Sequence, residues 1–168
     1  MGKLILISGI SRSGKSTLAK QLQKDLPQVL VIHQDEYTLP EEQLPRIKHR
    51  IDWEKPDTLD WNKLCQLINQ EMEKHQYLIL EGIFALANTE ILSLSAFTIA
   101  LELDKSEFLS RRKTETRWGK EPNWFIEHVW QSHLEHHNPH KTKIDLTLRN
   151  INETGYSELK RKIEHLSI

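Results

Sequence analysis

The sequence predicts an α/β domain in which a five-stranded parallel sheet carries helices on both faces, and three observations lead there. Short apolar runs alternate with helical patterns along the chain, the signature of a covered parallel sheet. A glycine-rich loop joins the first apolar run to the first helix. The residues suited to chemistry then fall just after the apolar runs, on the sheet edge where open parallel sheets gather ligands. The loop reads Gly9-Ile10-Ser11-Arg12-Ser13-Gly14-Lys15-Ser16-Thr17 and meets every fixed position of G-x-x-x-x-G-K-[ST]. With that motif, the fold class is a three-layer P-loop NTPase fold with a small arginine-bearing lid.

Each element follows from local pattern. Leu4-Ile5-Leu6-Ile7 is the first strand, and Leu18, Leu22 and Leu26 recur at helical spacing until Pro27 ends the pattern. Val29-Leu30-Val31-Ile32 is the second strand. Residues 38–57 are polar and hold Pro40, Pro45 and Pro56, so they read as a loop-rich excursion with a turn of helix. Asp60 caps a helix from Trp61 to Lys74, with Leu64, Leu67, Ile68 and Met72 on one face. Tyr77-Leu78-Ile79-Leu80 is the third strand and residues 97–103 the fourth. A basic helix over 105–117 and a Trp- and His-rich helix over 123–137 come next. Leu146-Thr147-Leu148 makes the fifth strand, and a helix over 155–166 closes the chain.

The length of 168 residues suits one domain, spanning 1–168 with the lid near 111–124, and is enough for a sizeable core. The formal net charge is −1, which calls for neither nucleic acid nor an anionic membrane as partner. The lone cysteine, Cys65, excludes an intrachain disulfide framework and reads as core. No secretory leader pattern and no apolar run near 18 residues is present, so a cytoplasmic protein is expected.

The loop binds a nucleoside triphosphate. Its glycines let backbone N–H groups turn toward phosphates, so Gly9, Ser11, Arg12, Ser13, Gly14, Lys15, Ser16 and Thr17 form the ATP cradle. Lys15 reaches the β- and γ-phosphates, and the Ser16 hydroxyl suits Mg²⁺. Asp35, three residues past the second strand, could take the proton of an attacking hydroxyl or help hold Mg²⁺, or be a solvated loop acid. Glu81 ends the third strand. A buried acid there needs a metal or an ionic partner. Arg111, Arg112 and Arg117 suit phosphate oxygens in a closing lid, although a solvated basic face has the same composition. Asp52 could accept from sugar hydroxyls or cap the following turn. His133, His136 and His137 share a helix face at a spacing that could suit zinc, but no cysteine or acid completes a site.

Taken in order, several segments resemble the uridine kinase and nicotinamide riboside kinase group of small-molecule kinases. They are Gly9 to Thr17, Gln34-Asp35-Glu36-Tyr37, Asp52 to Asp60, Leu80-Glu81-Gly82-Ile83, Arg111-Arg112 and His128-Val129-Trp130. A guanine-reading N-K-x-D is absent. Uridine kinases carry a base-reading β-hairpin before the strand that ends in Glu-Gly, and the residues from Trp61 to Glu81 are filled by a helix. With His128-Val129-Trp130, this favours nicotinamide riboside as the acceptor.

The resemblance implies that Asp35 and Lys15 are the catalytic pair, with Ser16, Asp35 and Glu81 serving Mg²⁺. It implies that Asp52 holds the ribose, with Glu36, Tyr37, Trp53 and Arg112 on the substrate side and Arg111 and Arg117 toward ATP. Ile51 stands where the animal enzymes place a stacking aromatic, leaving Trp53 or Tyr37 to offer a ring face. A monomer or homodimer acting on a small nucleoside is expected. The rivals are a uridine, cytidine or other small-alcohol kinase, and a nucleotide-binding regulator that transfers nothing.

Overall fold

The computed structural model describes residues 1–116, 119–149 and 153–166. Strands β1 (Lys3–Gly9), β2 (Val29–His33), β5 (Tyr77–Gly82), β6 (Ser95–Leu101) and β7 (Leu146–Leu148) form one sheet in the order β2-β5-β1-β6-β7. Every pairing in it is parallel. Between β2 and β5 the chain adds β3 (Arg46–Ile47) and β4 (Arg50–Ile51), a small antiparallel hairpin. The helices are α1 (Lys15–Asp25), α2 (Trp61–Glu71), α3 (Thr89–Leu94), α4 (Lys105–Lys113), α5 (Asn123–His136) and α6 (Glu153–Glu164).

The period-2 geometry of a strand sends alternate side chains to opposite faces. Ile5 and Ile7 of β1 and Tyr77 and Ile79 of β5 join Leu18, Leu22, Leu159 and Ile163, which places α1 and α6 on one face. Leu4, Leu6, Leu78 and Leu80 join Leu64, Ile68, Met72 and Ile91, which places α2 and α3 on the other. These side chains are 0–3% exposed, and each contributes about 1.5–3 kcal/mol of transfer free energy. A third cluster, built from Ile10, Leu103, Phe108, Phe125, Ile126 and Val129, ties α4 and α5 to the end of the phosphate loop.

Most element boundaries lie within two or three residues of the sequence expectation. Asp60 caps α2 as anticipated, its carboxylate accepting from the Lys63 N–H at 3.0 Å. The basic helix is shorter than expected and ends at Lys113, while Arg117 and Trp118 lie outside the described residues. Two elements escaped the sequence. The six-residue α3, capped by the Asn88 side chain, is too short for a periodic signal. The β3–β4 hairpin sits inside the polar excursion, turning at Lys48, whose φ is 52°. It lies upstream of α2, and α2 is the only regular element between Asp60 and β5.

Candidate functional site

The carboxyl ends of β1, β2 and β5 open onto a cavity of about 1210 Å³. The phosphate loop forms its floor. At Gly14 the chain takes φ 96° before entering α1, a left-handed conformation that favours glycine and turns the loop into the helix. The N-terminus of α1 therefore faces the cavity with unpaired N–H groups, a ready anion site. Ser11, Arg12, Gly14, Lys15, Ser16 and Thr17 all line it. Gly9 and Ser13 do not: they pack beneath the loop, where a Cβ on Gly9 would meet the Leu101 carbonyl oxygen at 2.6 Å and Ser13 Oγ at 2.7 Å.

Lys15 is 8% exposed, and its ammonium donates to the Ile10 carbonyl at 3.1 Å. Burial pushes its pKa down, while Glu81, Glu54 and Asp35 pull it back up. Ser16 Oγ donates to Glu81 Oε1 at 2.7 Å, and His33 Nδ1 lies 2.7 Å from the same oxygen. The strand-end acid is thus buried and doubly partnered. His33 ends β2 and reaches Glu81 because the two residues are register partners. Asp35 is exposed on the cavity wall, one residue past Gln34, which is buried with its side-chain oxygen on the Phe84 N–H at 2.9 Å.

An Mg²⁺ ion held with a triphosphate needs few protein ligands, because phosphate oxygens and waters fill most of its shell. The Ser16 hydroxyl and Glu81 carboxylate, already in contact on the wall, are hard oxygen donors that fit this requirement. Among the described residues no three His, Cys, Asp or Glu side chains come together as an all-protein metal site would demand. The histidine face of α5 instead stacks on itself, His133 and His137 lying 4.6 Å apart ring to ring.

The arginine helix reaches across to the loop. Arg112 Nη1 donates to Ser11 Oγ at 2.8 Å and Arg111 Nη1 to the Arg12 carbonyl at 2.9 Å. Each cation is also met by an acid. Glu121 grips Arg112, Glu107 pairs with Arg111, and Glu115 pairs with Arg12.

Among the residues expected on the substrate side, the structure separates some that the sequence had grouped. Trp53 stands on the wall, 45% exposed. Tyr37 and Glu36 do not line the cavity: Tyr37 packs against the α2 core, its ring 5.7 Å from Lys63 Nζ. Asp52, 3% exposed, is also off the wall, its Oδ1 held by His128 Nε2 at 2.8 Å and by the Glu54 N–H at 3.2 Å. Glu54, Arg50, Phe125 and Glu121 line the cavity and had no sequence signal. Only proximity in the fold brings them there. Burial pushes the Glu54 carboxyl up to about 7, Asp52 and Glu121 adding to the rise while Arg112 and Lys15 oppose it.

A family profile described as AAA domain matches residues 5–122. Human nicotinamide riboside kinase 1 is 29% identical over 150 residues, covering 79% of this chain and 75% of its own. A uridine kinase from Ureaplasma parvum serovar 3 is 26% identical over 137 residues, covering 65% and 66%. The fold is shared with the solved thymidylate kinase of Candida albicans, at a TM-score of 0.60 and 23% identity over 97% of this chain and 91% of that one.

Proposed function

The chain belongs to the AAA domain family, and from that premise we propose that it is an ATP-dependent nucleoside kinase. The γ-phosphate passes to the ribose 5′-hydroxyl, and nicotinamide riboside is the preferred acceptor, giving nicotinamide mononucleotide and ADP. The supporting observation is one continuous cavity. It joins the phosphate loop, Asp35, Glu81 and the two lid arginines to a wall bearing Trp53 and Glu54. A pure nucleotide binder has no use for the second half of that space.

Phosphoryl transfer depends mainly on positioning and charge stabilisation. Lys15 leaves the Ile10 carbonyl for the phosphates, and Arg111 and Arg112 supply planar donors to the oxygens that gain charge. Asp35 accepts the proton of the attacking hydroxyl as the new O–P bond forms and the bond to the β-phosphate oxygen breaks. Ser16 and Glu81 would hold Mg²⁺, which neutralises phosphate charge when bound. Of the two residues considered for the nicotinamide ring face, Trp53 is the one on the wall. A cytoplasmic setting and a monomer or homodimer belong to the same proposal. Among the described residues no helix is long and apolar enough to cross a membrane.

A pyrimidine nucleoside is the second reading, favoured by the β3–β4 hairpin whose Arg50 and Ile51 line the cavity. A coupled ADP-release assay with Mg-ATP against nicotinamide riboside, uridine, cytidine and no acceptor separates them. Highest turnover with nicotinamide riboside is expected. Highest turnover with a pyrimidine nucleoside transfers the assignment to the second reading, and no acceptor-dependent turnover rejects both.

A further inference from the structure

Glu54 stands on the cavity wall between the phosphate loop and the lid with its carboxylate unclaimed. The residue is 8% exposed and shares the wall with Lys15, Arg112 and Glu121. Only its backbone N–H is engaged, donating to Asp52, and its carboxylate has no hydrogen bond or close ion pair with any described residue. Asp52 is the reverse case. It lies behind the wall, and Oδ1 is taken by His128 and by the Glu54 N–H.

A desolvated carboxyl costs free energy unless something supplies the missing hydrogen bonds. Lys15 and Arg112 act on Glu54 through space, so its neighbourhood already contains two cations. A further metal cation is disfavoured beside them, and among the described residues no three-residue metal cluster includes Glu54. A neutral donor meets no such repulsion. Sugar hydroxyls are neutral donors, and the exposed Trp53 ring next in sequence offers an apolar face beside them.

We infer that Glu54 is the acceptor-recognising carboxylate, accepting hydrogen bonds from hydroxyl groups of the bound phosphoacceptor, while Asp52 with His128 is the strut that holds the Glu54 segment to the cavity. This rests on the nucleoside kinase reading. It moves sugar recognition from the acid that the sequence pointed to onto one that the sequence did not mark. Asp52 then becomes a positioning residue.

The test is steady-state kinetics of wild type, Glu54→Ala, Glu54→Gln and Asp52→Asn. The acceptors are nicotinamide riboside, uridine and their 2′-deoxy and 3′-deoxy analogues, with Mg-ATP as donor. Glu54→Ala is expected to raise the ribonucleoside KM at least tenfold and leave the ATP KM within twofold, which also reports an intact fold. Its penalty should fall below threefold on the analogue that lacks the contacted hydroxyl. Glu54→Gln keeps an accepting oxygen and the side-chain volume, so its penalty should be smaller but follow the same acceptor pattern. Asp52→Asn should raise the KM of ribo- and deoxynucleosides alike, with kcat and the ATP KM nearly unchanged.

Equal Glu54→Ala penalties on every acceptor would make the residue structural and overturn the inference. A higher Mg²⁺ requirement in Glu54→Gln would place it on the metal and do the same. Wild-type turnover with an unaffected Glu54→Ala would reject the inference alone. An inactive wild type on all of the acceptors would reject the nucleoside kinase reading and the inference together.

Discussion

Arg112 is gripped by Glu121 through two parallel hydrogen bonds, Nε to Oε2 at 2.7 Å and Nη2 to Oε1 at 2.9 Å. Both side chains are 7% exposed, so the pair lies out of water at the junction of phosphate loop and lid. Glu121 belongs to the segment leading into α5, and Arg112 to the last turn of α4. Their bond closes the span that carries the lid, while the third guanidinium nitrogen of Arg112 rests on Ser11.

Breaking that pair from one side should be costly, because a buried charge would lose its partner. Glu121→Ala is expected to destabilise the fold by about 3–5 kcal/mol in urea denaturation. The double variant Arg112→Leu/Glu121→Leu should lose clearly less than the sum of the single variants, since neither charge is then stranded. Additive losses would show that the two residues do not act as a pair.

Asp35 and Lys15 should respond differently from one another. On the proposed mechanism Asp35→Asn keeps the shape but removes the base, so kcat should fall by about 10²–10⁴ while the ATP KM stays within about twofold. Lys15→Ala removes charge from the transferring group and should cost about 10²–10³ in kcat. Lys15→Arg should not restore it, because a planar fork does not fit a cradle made for a compact ammonium. Loss of ATP binding in Asp35→Asn would show that Asp35 is structural.

Two groups, buried Glu54 and half-buried His133, give stability opposite dependences on pH. Glu54 keeps its proton in the fold to about pH 7, against 4.5 as its ordinary value. Its contribution is complete below 4.5 and is lost as pH rises through about 7. Burial, followed by His137 and Lys15, pushes His133 down to about 4 from 6.5. Its contribution is complete above 6.5 and is lost as pH falls through about 4. Each is worth at most about 3 kcal/mol. Between pH 4.5 and 6.5 the two slopes largely cancel in the wild type, so single variants expose them. The Tm of Glu54→Gln should exceed wild type at pH 8 and converge on it at pH 4.5. His133→Asn should lose less than wild type on acidification from pH 7 to 4.5. Parallel Tm–pH curves for all three proteins would contradict both assignments.

Gly82 is needed for close approach. A Cβ there would sit 2.1 Å from Gln34 Oε1 and 2.5 Å from Gln34 Cβ. Gln34 is 2% exposed and bonded to the Phe84 N–H, so it has little room to yield. Gly82→Ala should therefore destabilise by about 1–3 kcal/mol. It should also lower kcat by shifting Asp35, the next residue along. Unchanged melting and turnover would mean that the Gln34 side chain rearranges freely.

The phosphate loop, the parallel sheet and the residues at its edge were legible because each rests on local rules. A G-x-x-x-x-G-K-[ST] run needs only its own backbone, and alternating apolar residues such as Leu4 to Ile7 declare two buried faces without knowledge of their partners. Asp60 could be read as a cap for the same reason. The hairpin at Arg46–Ile51 was hidden because two residues per strand make no periodic signal. Glu54 and Asp52 could not be told apart, since both are acids in one polar stretch and their difference lies in what packs against them.

By itself, then, the sequence determined the fold class, the glycine loop that leads into α1 and the strand-end placement of Asp35 and Glu81, all encoded within a few residues of one another. Tertiary structure alone decided which acids are engaged and which are open. His128 meets Asp52 across 76 residues and Arg112 meets Ser11 across 101. A carboxylate's solvation and hydrogen-bond partners are set by such distant contacts, and no local pattern encodes them.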